Sequence, residues 1–155
     1  LFVSVSNLNS GHAEVVSDGP LFLPILCSCA IPLVFKPVKM NGALYVDGGL
    51  LDNLPTRSIR QQSDIVIGIN VMPNVAVSNK TISNVFGILS RSFDLSIQAN
   101  AEPSKSLCNV LVEPSELYDY HIFQFGKHKE IADLGYQATL KMIPSIMQAL
   151  KSELV

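Results

Sequence analysis

Between Asp64 and Met72 the chain reads DIVIGINVM, a nearly unbroken apolar run rich in Ile and Val. Such a run suits a strand covered on both faces, as in a parallel α/β sheet. The residues beyond it agree. Ile82, Val85, Phe86, Leu89, Phe93 and Ile97 recur at spacings of three and four, a helical stripe. NVLVEP, from Asn109 to Pro114, is a second short buried strand. Ile131, Leu134, Ala138, Met142, Ile146 and Leu150 then mark a closing helix. Pro144 interrupts that last pattern, so a kink or two abutting helices are expected there. Strands alternating with helices predict the α/β class, with helices on both faces of the sheet.

The first half of the chain is read in the same way. LFVSVSNL alternates as a strand does, and NLNSGHAEVVSDG reads as a turn, a short strand and another turn. A helix is predicted from Pro20 to Ala30, with Asp18 and Gly19 at its entrance and Pro20 in its first turn. Asn41-Gly42, between two apolar runs, signals a hairpin. Pro55 to Gln62 is expected to form a short helix.

With 155 residues, 48% of them apolar and 15% charged, the chain suits one core-rich domain or a large piece of one. Its formal charge of -2 and scattered basic residues give no footprint for nucleic acid. Cys27, Cys29 and Cys108 support neither a disulfide framework nor a zinc site, and reduced, buried thiols are expected. The longest uncharged run, Gly19 to Phe35, is cut by Pro20, Pro24 and Pro32 and falls short of the roughly 20 residues that span a bilayer. The chain opens in strand-like sequence without a methionine, so a piece of a longer polypeptide is expected.

One stretch, GALYVDGGLLDNLP, points to chemistry. Asp47 ends the strand-like ALYV, and α/β folds bind ligands in the crevice beyond the carboxyl ends of their strands. Gly48 and Gly49 leave the adjoining backbone bare, which permits positive φ and close approach of another segment or a substrate. Such a carboxylate can act as a general base, orient a second group or bind a metal. Taken alone, an Asp-Gly pair more often makes only a turn. Asp52 and Asn53 complete no calcium loop, and no metal or cofactor is called for.

The longer pattern resembles the second conserved block of the patatin-like phospholipases, a family of serine lipid acyl hydrolases. The residues that carry it are Ala30, Ile31, Pro32, Phe35 and Pro37, followed by Asp47, Gly48, Gly49, Asn53 and Pro55. The opening VSNLNSGHAEVVSDGPL and the later GYQAT add to it. The likeness is sharp to about residue 75 and looser beyond. It implies a three-layer α/β/α sheet, incomplete at its N-terminal side, with residues 1–155 the C-terminal part of a single patatin-like hydrolase domain. It also implies a Ser-Asp dyad in which Asp47 is the base, and Gly48 and Gly49 let the serine loop sit against it.

The elbow that carries the family's nucleophile, Gly-x-Ser-x-Gly, is absent: none of the nine glycines lies four residues from another. The nucleophile and the oxyanion loop are therefore expected upstream, and by itself the chain should hydrolyse nothing. Ser28 is expected to pack in the core, and His12, His121 and His128 to lie at the surface. The substrate implied is a lipid or other ester. Peripheral membrane contact is compatible with that, although no amphipathic basic helix announces it. A bacterial cytoplasm is the expected location. Two other readings compete: an inert α/β module binding acyl chains or a protein partner, and, ranked last, an Asp47/Asp52 carboxylate pair of glycosidase type.

Overall fold

The computed structural model describes residues 1–120 and 124–152, so His121 lies outside the described residues. Its first half is a four-stranded antiparallel sheet in the order β2-β1-β4-β3. Strands β1 (Val3–Asn7) and β2 (His12–Val16) form a hairpin, with Val3 opposite Val16 and Asn7 opposite His12. The Asn7 side-chain oxygen accepts from the backbone N–H groups of Asn9 (2.9 Å) and Ser10 (3.1 Å), which closes the turn.

Strands β3 (Val38–Met40) and β4 (Ala43–Asp47) are joined by Asn41 and Gly42 at φ 50° and 85°. That is the left-handed pair a two-residue hairpin turn requires, as the Asn-Gly signal predicted. The long-range step is β1 on β4, antiparallel, with Val5 opposite Asp47.

Helix α1 (Phe22–Ser28) crosses between the hairpins and covers one sheet face. Its Cys27 is buried with Val3, Val5, Met40 and Tyr45. The helix begins later than predicted, and Asp18 does not cap it; its carboxylate accepts from the Ser17 hydroxyl instead. Of the three thiols, all free, only Cys27 is buried; Cys29 is exposed and Cys108 half-exposed, so the expectation of three buried thiols is corrected.

Strands β5 (Ile67–Ile69) and β6 (Val110–Val112) form a separate parallel pair, connected through helix α3 (Val85–Lys105). The short helix α2 (Arg57–Arg60) precedes them. Elements of both kinds alternate along the chain, so the α/β class holds as read. Two-sided burial of the DIVIGINVM run does not. Val66, Gly68 and Asn70 are buried, while Ile67 and Ile69 face outward, Ile69 at 60% exposure. The apolar run conceals an ordinary strand alternation.

Helix α3 starts at Asn84, whose side chain accepts from the Gly87 N–H at 2.8 Å. Only the C-terminal half of its stripe is covered: Ile97, Gln98, Ala101 and Ser104 are buried, whereas Phe86 is 78% exposed. Ile82 precedes the helix. Helix α4 (His128–Ser152) lies against β6 and runs through Pro144 as one helix, not two. Proline there lacks the N–H that would bond back one turn. No described helix is long and apolar enough to cross a membrane.

Candidate active site around Asp47

Strand β4 carries Asp47 to its C-terminal end, where the side chain is half-buried. Two backbone facts fix it. Its N–H donates to the Ala30 carbonyl at the end of the α1 region (3.1 Å), and its strand neighbour across β1 is Val5. Beyond it the chain turns into a single 3-10 turn, Gly48–Leu50. Asp47 caps that turn, with Oδ1 accepting from the Gly49 N–H at 2.7 Å. The turn role expected of an Asp-Gly pair is thus real, yet it uses one carboxylate oxygen only. Among the described residues no other hydrogen bond reaches this carboxylate.

Burial pushes the Asp47 carboxyl above the usual carboxylate range, and the Gly49 N–H partly offsets that by favouring the charged form. The side chain lines a cleft of about 370 Å³, which also touches Ser4, Ile25, Ser28, Gly48 and Asp52. A carboxylate that is partly dry, held by one oxygen and open to a cleft has the attributes of a general base.

The two glycines serve distinct purposes. A Cβ on Gly48 would run into the backbone carbonyl of Ser4, so strand β1 passes directly over it. A Cβ on Gly49 would lie 2.7 Å from Asn53 Oδ1 and 3.0 Å from Asp47 Oδ1. Neither glycine adopts positive φ, contrary to what their bareness suggested; close approach is what they are for. For Gly48 the approaching segment is β1.

Sequence reasoning overlooked the residues that hold this turn in place. Ser4 Oγ donates to the Asp52 carbonyl (3.1 Å), and Ser6 Oγ donates to the Gly48 carbonyl (3.4 Å). Their signal was the alternating serines of VSVSN, which put both hydroxyls on one side of β1. From the other direction, α3 anchors the loop. Thr56 Oγ1 donates to the Ser104 carbonyl (2.8 Å), Asn100 Nδ2 donates to the Leu50 carbonyl (3.0 Å), and Ser104 Oγ approaches Asp52 Oδ1 (3.5 Å).

Asp52 therefore has structural work. Burial raises its carboxyl above the ordinary range, opposed by the Ser104 hydroxyl, the Arg57 charge and the Leu54 N–H. It shares the cleft with Asp47, but its bond to Ser104 ties it to α3. Ser28, expected in the core, is half-buried in the cleft wall instead. It makes no hydrogen bond with Asp47, and neither does Ser4. His12 and His128 are exposed, as expected. Among the described residues no cluster of His, Cys, Asp or Glu could hold a metal ion.

Residues 4–59, which run from β1 through α2 and include the whole Asp47 turn, match the patatin-like phospholipase family. Over that stretch the chain is similar to this family. An uncharacterized NTE family protein of Mycobacterium tuberculosis is 37% identical over 73 residues, 47% of this chain and 18% of the relative. A Mycobacterium bovis NTE family protein shows the same figures. The lysophospholipase NTE1 of Yarrowia lipolytica is 27% identical over 71 residues, 45% of this chain and 5% of the relative. The matched region thus spans less than a fifth of the length of these relatives.

Proposed function

We propose that Asp47 is the general base of a serine lipid acyl hydrolase, and that residues 1–155 are the C-terminal part of its single catalytic domain. The observation that carries this reading is the half-buried carboxylate, held by one hydrogen bond from Gly49 and lining a cleft within the stretch that matches the patatin-like family. The nucleophile is a serine on polypeptide outside these residues, because the chain has no Gly-x-Ser-x-Gly and its own cleft serines do not bond Asp47. The oxyanion donors come from the same missing segment.

The chemistry follows from the carboxylate's surroundings. A neutral hydroxyl is too weak a nucleophile for an ester, so its proton must leave as it attacks the acyl carbon. An exposed aspartate, with a pKa of roughly 3.9, is a poor acceptor for that proton. Burial makes Asp47 a stronger base, and Gly49 keeps the carboxylate aimed through the transfer. The proton then passes to the departing alcohol, leaving an acylated serine for water to hydrolyse. The lysophospholipase among the relatives makes a glycerophospholipid ester the first substrate class to assay.

The test uses the full-length protein. It should react covalently with a fluorophosphonate and hydrolyse a short-chain ester. Asp47→Asn should lower that hydrolysis by about 10²- to 10⁴-fold without unfolding the protein. Unchanged activity in Asp47→Asn would overturn the assignment. Absence of any fluorophosphonate reaction would favour an inert module that binds acyl chains or a protein.

A further inference from the structure

The segment from α1 to β3 is an apolar surface with one sign of charge. Phe22 is 78% exposed, and Ile25, Leu26, Val34 and Phe35 are exposed as well. Leu33 has an extreme position. It sits at 98% exposure, in a turn closed by the Val34 and Phe35 N–H groups donating to the Ile31 carbonyl (3.2 and 2.9 Å). Its φ of 69° is left-handed, a region that disfavours any branched side chain. A strained leucine held out in water has no part in the packing of the described residues.

Charge and position say what would cover it. From Gly19 to Val46 there is no acidic residue, while Lys36 and Lys39 are both exposed, in a chain whose formal charge is -2. Apolar side chains beside lysines suit an anionic phospholipid surface, where the side chains enter the acyl boundary and the ammonium groups meet lipid phosphates. The patch is also continuous with the cleft: Ile25 belongs both to the exposed face of α1 and to the wall that includes Asp47.

We infer that α1 and the Ile31–Phe35 turn, flanked by Lys36 and Lys39, form the surface by which the protein docks on an anionic phospholipid bilayer, with the Asp47 cleft opening beside it. The inference rests on the lipid-hydrolase reading only for the use made of docking, since binding can be measured without catalysis.

The experiment is flotation of the full-length protein with vesicles of phosphatidylcholine, alone or with phosphatidylserine. Binding should require phosphatidylserine and weaken as salt is added. Leu33→Asn should reduce binding about tenfold, and Lys36→Ala and Lys39→Ala about fivefold each. Asn tolerates the left-handed region, so Leu33→Asn should also raise Tm, the opposite of its effect on binding. Hydrolysis of a short soluble ester should not change.

Two results overturn the proposal. One is binding indifferent to phosphatidylserine and to the lysines. The other is absent binding together with a lower Tm for Leu33→Asn, which would show that other polypeptide covers the patch. If Asp47→Asn retains ester hydrolysis while the flotation pattern holds, the catalytic reading fails alone and docking stands.

Discussion

Asp47 is held in a way that sets activity against stability. Its carboxyl lies above the usual range because burial disfavours the charge. In the proposed role Asp47 works only when deprotonated, so the acidic limb of kcat/KM should fall above the ordinary aspartate value of about 3.9, and activity should disappear as pH drops through it. A pH-rate profile on a soluble ester checks this. For folding the sign is reversed. A carboxyl whose folded pKa exceeds its unfolded one is most favourable when protonated, so its penalty grows as pH rises from the unfolded value through the folded one. Asn at position 47 keeps an oxygen to accept the Gly49 N–H and carries no charge. Asp47→Asn should therefore raise Tm near neutral pH, with the gain vanishing in acid, as thermal melts across pH would show. The glycines separate in a similar manner. Gly48→Ala drives a methyl into the Ser4 backbone, which cannot yield, and should destabilise by about 3 kcal/mol or more. Gly49→Ala meets only the side chains of Asn53 and Asp47. These can turn aside, so a loss of about 1 kcal/mol with a larger loss of activity is expected from denaturant titration and ester assay together.

At the scale of elements, the Asp47 turn is clamped between β1 and the C-terminal half of α3. The bond from Thr56 Oγ1 to the Ser104 carbonyl is buried and joins the end of the loop to the helix. Thr56→Val preserves the shape and removes the bond, and should lower unfolding free energy by about 1 kcal/mol, measured by urea denaturation. The hairpin, by contrast, was legible from two residues. Asn41 and Gly42 both favour the left-handed region, and the turn they make requires it twice. The helix stripe of α3 was legible as a period but not as burial. Periodicity is a property of one segment, whereas covering Phe86 or Ile97 depends on what lies alongside. Of the two outcomes expected at Pro144, abutting helices do not occur: α4 is continuous through it despite one missing hydrogen bond.

For the molecule as a whole, the proposed function makes the site one side of a reaction. The 155-residue chain alone should show no fluorophosphonate labelling above its Asp47→Asn control, because Ser4 and Ser28 line the cleft without engaging Asp47. Mass spectrometry of the intact chain reads this directly. What the sequence determined by itself was local: the strand that ends in Asp47, the glycines after it, the hairpin before it and the α/β alternation. Each depends on backbone preferences and side-chain period within a few neighbouring residues. The tertiary structure decided everything that makes the carboxylate unusual. Ser6 reaches Gly48 across 42 positions and Ser104 reaches Asp52 across 52. Only chain folding brings such groups together, and it is burial within that fold that raises the proton affinity of Asp47.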